Sequence, residues 1–195
     1  MRKRLLEQLC CPICEGILDI ESFLVGHQKL SEKEYEKCES LCINKSSMEE
    51  VIKEGVLLCR KCGIWYPVIN YVPIMLDFST PLHKSFYRDN ESKFIALSSF
   101  RSADQSPRPG EIAIQKSFTR QWKELGFDTD VFGIPSENIV EYYRCELDWP
   151  EWVLEISGKK VLDVGCGYGQ EALVLHEATD DEIFAIDLNT SLLSS

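Results

Sequence analysis

The run Val161-Leu162-Asp163-Val164-Gly165-Cys166-Gly167-Tyr168-Gly169 constrains this chain more than any other. Its first four residues have strand character. They lead into a turn with glycine at alternate positions. Residues 168–178 behind the turn read as a helix, and the apolar stretch 182–187 reads as a second strand. Strand, turn, helix and strand over about thirty residues close as a βαβ unit. Such a unit offers a nucleotide-type cofactor site at the turn.

The spacing Asp163-x-Gly165-x-Gly167-x-Gly169 departs from the dinucleotide fingerprint. That fingerprint needs its third glycine at position 170, which is Gln. The arrangement resembles motif I of class I S-adenosylmethionine methyltransferases. Adenosylmethionine has no pyrophosphate and needs no phosphate cradle. It does need a backbone close to its methionine and ribose parts, which glycine permits. It also carries a sulfonium and an ammonium, so acidic neighbours help. Asp187 ends the second strand and is placed to accept the ribose hydroxyls. The candidate cofactor-binding residues are therefore Asp163, Gly165, Cys166, Gly167, Gly169 and Asp187. The thiol of Cys166 is most simply a small packing group. The plain alternatives are a flexible surface loop for the turn and a solvated strand end for Asp187.

The N-terminal region carries a different chemistry. Cys11-Pro12-Ile13-Cys14 and Cys59-Arg60-Lys61-Cys62 form two C-x2-C pairs. Paired thiolates on tight knuckles can close a tetrahedral metal site. Cys11, Cys14, Cys59 and Cys62 are the candidate ligands, with zinc favoured and iron open. A redox dithiol and ordinary buried cysteines are the alternatives. Between the pairs a helical insertion is expected, with capping-box spacing at Ser31/Glu34 and Ser47/Glu50 and a helix stop at Gly55. Cys10 abuts Cys11 and could compete as a ligand. Cys38 and Cys42 lie one helical turn apart and either offer half of a second site or, more simply, are small apolar residues facing the ribbon core.

The segments Leu5-Leu6-Glu7-Gln8-Leu9-Cys10-Cys11-Pro12-Ile13-Cys14, Cys62-Gly63-Ile64-Trp65-Tyr66-Pro67-Val68-Ile69 and Val72-Pro73-Ile74-Met75-Leu76 resemble the methyltransferase-activator zinc-ribbon family. The resemblance covers about residues 1–78. It implies a small partner that covers an apolar edge of a methyltransferase and keeps it folded. The long middle insertion departs from the family. So does Asn70-Tyr71, where the family usually has an acidic residue and glycine.

The expected fold class is α/β: a truncated Rossmann-like methyltransferase βαβ unit preceded by a small α+β zinc ribbon. The expected domains are 1–78, the ribbon; 79–115, a linker rich in Ser, Pro and Gly; and 116–195, the incomplete N-terminal part of a methyltransferase domain. Two helical stretches, 115–125 and 136–156, precede its first strand. Within them Ser117-Phe118-Thr119-Arg120-Gln121-Trp122 resembles an F-x-x-x-W segment of some bacterial methyltransferases. Gln121 or Trp122 either lines a substrate pocket or, more simply, packs in the core. Tyr142, Tyr143, Trp149 and Trp152 share that ambiguity. His27, His83 and His176 fit no ligand or triad pattern and read as surface or partly packed.

The functional expectation is an adenosylmethionine-dependent methyltransferase fragment with a fused structural zinc ribbon; the alternative is a non-enzymatic activator or adaptor. A doubly wound domain needs more strands than the two counted, so the chain alone is expected to be inactive. No catalytic residue can be named. The formal net charge is -11, and residues 79–195 hold 11 Lys/Arg against 20 Asp/Glu. That balance disfavours nucleic acid and favours a small-molecule methyl acceptor. The ribbon is expected to pack on the methyltransferase domain in cis. With nine cysteines, no secretory signal and no membrane-length apolar run, the expected compartment is the cytoplasm.

Overall fold

The computed structural model describes residues 1–40, 49–125, 130–131, 134–135, 138, 141–142, 145, 158–179, 181–190 and 193. The chain divides into two compact units, Met1–Arg108 and Pro109–Ser195.

The first unit is built on a five-stranded sheet. Its strands are β1 (Asp19–His27), β2 (Glu50–Cys59), β3 (Ile64–Ile69), β4 (Val72–Pro73) and β5 (Arg101–Ser102). They run in the order β1-β2-β3-β4, and β5 pairs in parallel with the other end of β3. Helix α1 (Glu32–Ser40) follows β1. The strand alternation divides the side chains between two faces. Ile20, Leu57 and Tyr66 align across three strands on one face. That face is covered by the 3-10 helix Lys3–Gln8, through Leu5 and Leu6, and by the cysteine knuckles. The other face carries Val56, Leu58 and Trp65. It is covered by α2 (Pro81–Asp89) and α3 (Glu91–Phe94), whose Phe86 and Phe94 are buried.

Several expectations change here. The insertion between the cysteine pairs is not only helical, because β1 occupies nine residues of it. Gly55 is not a helix stop but an interior residue of β2, opposite Ser22 and Val68. A Cβ there would lie 2.6 Å from the Glu21 carbonyl oxygen, so only glycine lets β1 approach beside its register shift. Ser31 and Glu34 do form the expected reciprocal cap: Glu34 N donates to Ser31 Oγ at 3.3 Å, and Ser31 N donates to Glu34 Oε2 at 2.9 Å. Ser47 lies outside the described residues, and Glu50 begins β2. Part of the stretch read as linker folds onto the sheet. Thr80-Pro81 starts α2, with proline at the position where its missing N–H costs nothing. Asn70 and Tyr71, with φ of 45° and 70°, make the left-handed corner between β3 and β4.

The second unit contains α4 (Glu111–Leu125), the two-residue strands β6 (Asp130–Val131) and β7 (Ile134–Pro135), β8 (Lys160–Val164), α5 (Gln170–Ala178) and β9 (Glu182–Ile186). Strands β8 and β9 pair in parallel with α5 as the crossover, the expected βαβ unit. Asp181 is 2% exposed and ties the two strand starts together, accepting from Lys159 N at 2.9 Å. The expected helix 136–156 falls mostly outside the described residues.

Candidate metal centre and glycine turn

The four predicted metal ligands converge. The Sγ atoms of Cys11, Cys14, Cys59 and Cys62 all lie within 4.8 Å of one another. Cys11 and Cys62 are 3.9 Å apart, and Cys14 and Cys59 are 3.5 Å apart. A tetrahedral zinc with bonds of about 2.3 Å spaces its sulfurs at about 3.8 Å, so the set fits the ion. The same sulfurs would also accept iron. Each pair sits on a knuckle closed by the backbone. Glu15 N donates to Cys11 O at 2.8 Å, and Gly63 N donates to Cys59 O at 2.9 Å. The residue after each pair is left-handed, Glu15 at φ 57° and Gly63 at φ 63°.

The surroundings suit a bound cation. Burial works against a Cys11 thiolate, but the Tyr66 hydroxyl and the backbone at Ile13 and Cys14 outweigh it and bring the thiol down to about 6. Cys62 is pushed up to about 12 by the Cys14 sulfur, then burial, then the other two sulfurs. Four sulfurs this close cannot all ionise without a cation among them. The Tyr66 hydroxyl lies 3.2 Å from Cys11 Sγ on a fully buried side chain. Burial and the Cys11 sulfur raise its pKa, so it remains a neutral donor. Tyr66 was not singled out by sequence; its signal was a strand register that puts it on the same face as the quartet.

The other cysteines stand apart. Cys10 is exposed and outside the cluster. Cys38 is buried as a small apolar residue, whereas Cys42 lies outside the described residues. His83 departs from the surface expectation, being 1% exposed.

The residues expected at a cofactor also come together, in the second unit. Gly165, Gly167 and Gly169 have φ of 87°, 58° and 80°. Gly165 N and Cys166 N both donate to Ile186 O, at 2.8 and 3.2 Å, which anchors the turn to β9. Asp187 braces it: Oδ2 accepts from Gly167 N at 2.8 Å and Oδ1 from Asn189 N at 2.7 Å. Asn189 Nδ2 returns to Gly167 O at 3.0 Å. Asp163 Oδ2 is buried and, among the described residues, has no hydrogen-bond partner. Burial, then the charges of Glu171 and Asp187, raise its pKa. Cys166 is raised to about 11 by burial and then by Asp163 and Asp187, which makes it a poor nucleophile. Sequence reasoning missed Asn189, whose amide completes the brace. Of the aromatic candidates, Trp122 meets Tyr168 edge to face at 5.6 Å. Tyr143, Trp149 and Trp152 lie outside the described residues.

Among the described residues, no helix is long and apolar enough to cross a membrane. A family model described as Trm112p-like protein matches residues 2–70, about a third of the chain. No curated protein matches the chain. The matched span holds all four clustered cysteines, and the cluster fits a zinc ribbon.

Proposed function

We propose that Met1–Arg108 is a zinc-ribbon module whose work is to support a methyltransferase domain. The observation that carries this is the sulfur quartet, set on two knuckles inside the span matched by the Trm112p-like family model. Cys11, Cys14, Cys59 and Cys62 would fill every position around the ion, leaving none for substrate; the metal is therefore structural. It closes a region that joins sequence-distant strands. The test captures the partner of the tagged full chain from its own cells. A methyltransferase should co-purify and should lose thermal stability when freed from the chain. Capture without any methyltransferase, or a methyltransferase indifferent to the chain, defeats the proposal.

A second reading places methyltransferase chemistry in residues 116–195 of this chain. The braced turn between two parallel strands favours it, with the carboxylates of Asp163 and Asp187 beside it. Adenosylmethionine would supply an electrophilic methyl group there, transferred by direct displacement. Asp163, Gly165, Gly169 and Asp187 would bind and orient it, the acidic groups favouring its positive charge. The acidic balance of residues 79–195 supports a small-molecule acceptor over nucleic acid. Calorimetry of the full chain with S-adenosylhomocysteine decides this reading. Binding that Asp187→Ala abolishes supports it, and no binding removes it.

A further inference from the structure

The three glycines of the turn share a left-handed backbone but face different surroundings. Among the described residues, a Cβ on Gly165 or on Gly169 would meet nothing within 4 Å. A Cβ on Gly167 would lie 2.2, 2.4 and 2.7 Å from Cζ2, Cη2 and Cε2 of Trp122. The indole therefore rests directly on the middle glycine. Gly167 is buried, its N–H is given to Asp187 and its carbonyl to Asn189. Neither its backbone groups nor its open side is left for a ligand.

The indole is held in place by more than this contact. It meets Tyr168 edge to face. One turn earlier on the same helix face, Thr119 Oγ1 accepts from Thr190 N at 3.0 Å, just beyond the Asp187 brace. Helix α4 is thus fastened to the turn at Gly167 and to the segment after β9 at Thr190.

We propose that Gly167 is the seat of Trp122, that α4 is a built-in wall of the site, and that a ligand meets the turn at Gly165 and Gly169. Trp122 is then a positioning residue, acting on the ligand through the backbone it presses on. The ligand half rests on the adenosylmethionine reading above; the seat does not.

The test uses the full chain. Gly165→Ala, Gly167→Ala and Gly169→Ala are each made in the parent and in Trp122→Ala. All three alanines carry the same kind of left-handed strain, so comparison among them cancels it. Hydrogen exchange across residues 160–190 reads the opening equilibrium of the unit. Gly167→Ala should raise opening about tenfold to a hundredfold more than the other two in the parent, and no more than they do without the indole. Equal effects in the parent, or an excess that persists without the indole, overturns the seat. Should Trp122→Ala fail to fold, Trp122→Leu serves in its place.

S-adenosylhomocysteine is the ligand probe. Gly165→Ala and Gly169→Ala should each weaken its binding about tenfold or more. The emission of Trp122, isolated by difference from Trp122→Phe, should shift on ligand addition. Unchanged affinity in both outer-glycine variants overturns the ligand half. A parent that binds no S-adenosylhomocysteine overturns the adenosylmethionine reading and the ligand half together; the exchange cycle still judges the seat.

Discussion

His83 makes the stability of the first unit depend on pH in a direction the structure fixes. Its side chain lies beneath α2 and against Trp65, with ring centroids 5.9 Å apart. Thr80 N donates to Nδ1 at 3.3 Å, while Nε2 is buried with no partner among the described residues. Burial lowers the imidazole from 6.5 to about 4. Above pH 6.5 the ring is neutral in both folded and unfolded chains, and its whole contribution is present. Between 6.5 and about 4 the unfolded chain takes up a proton that the folded chain refuses, so stability falls with pH. A depression of this size corresponds to roughly 3 kcal/mol lost across the window. With a urea slope of about 2 kcal/mol/M, the midpoint should drop by about 1.5 M between pH 7.5 and 4. The comparison is His83→Gln, since Gln can still accept from Thr80 N as a capping-box residue but does not titrate. Acid also protonates the cysteine ligands, in parent and variant alike. The readout is therefore the difference between their urea midpoints at each pH. Parallel curves from pH 7.5 to 4.5 would show that the folded state accommodates a charged imidazole and would refute the argument.

Three further outcomes follow from geometry already described. Stripping the metal with a chelator, or Cys14→Ser with Cys59→Ser, should unfold the ribbon, with far-UV circular dichroism and metal content falling together. Gly55→Ala puts a Cβ 2.6 Å from the Glu21 carbonyl oxygen and should cost about 2 kcal/mol by urea titration, because backbone must move. Glu15→Gly should raise stability by about 1 kcal/mol, since exposed Glu15 holds a left-handed knuckle position where Gly63 holds the matching one; a drop in midpoint would contradict this.

What sequence revealed and what it hid divide along local and non-local physics. The knuckles were legible because each needs only its own few residues, and two C-x2-C pairs leave few other uses for four thiols. The βαβ unit was legible because β-rich residues, glycines and a helical run follow in order. Strand β1 was not. It lies at the sheet edge, mixes Asp19 and Glu21 with Ile20 and Phe23, and takes its form from pairing with β2 some thirty residues away. Gly55 was misread for the same reason: glycine marks both a helix end and a close backbone approach, and the approaching backbone is distant in sequence. Helices α2 and α3 were hidden by polar, irregular-looking composition, although Thr80-Pro81 carried a start signal. Asp187 was expected to face a ribose. Its other use, bracing Gly167 and Asn189, depends on a turn shape that spacing alone does not give.

The family match and the first unit do not end together, and the difference bears on how the ribbon works. The matched span stops at residue 70, whereas the sheet face bearing Val56, Leu58 and Trp65 is buried by side chains from residues 86–97. Phe86 and Phe94 meet Trp65 at 6.4 and 4.8 Å, and Phe23 stacks on Phe86 at 5.9 Å. Aromatic contacts at these separations add to the area they bury, so this cover is a substantial part of the fold. The quartet fastens one face of the sheet and α2 and α3 fasten the other. A chain cut at residue 78 would keep its metal ligands yet present Trp65, Val56 and Leu58 to water, a patch that invites association. Such a cut chain should bind zinc and nevertheless self-associate, a result that scattering alongside metal analysis can read. A monodisperse, metal-bound 1–78 would mean that the aromatic cover is dispensable and that the matched span contains the whole folding unit.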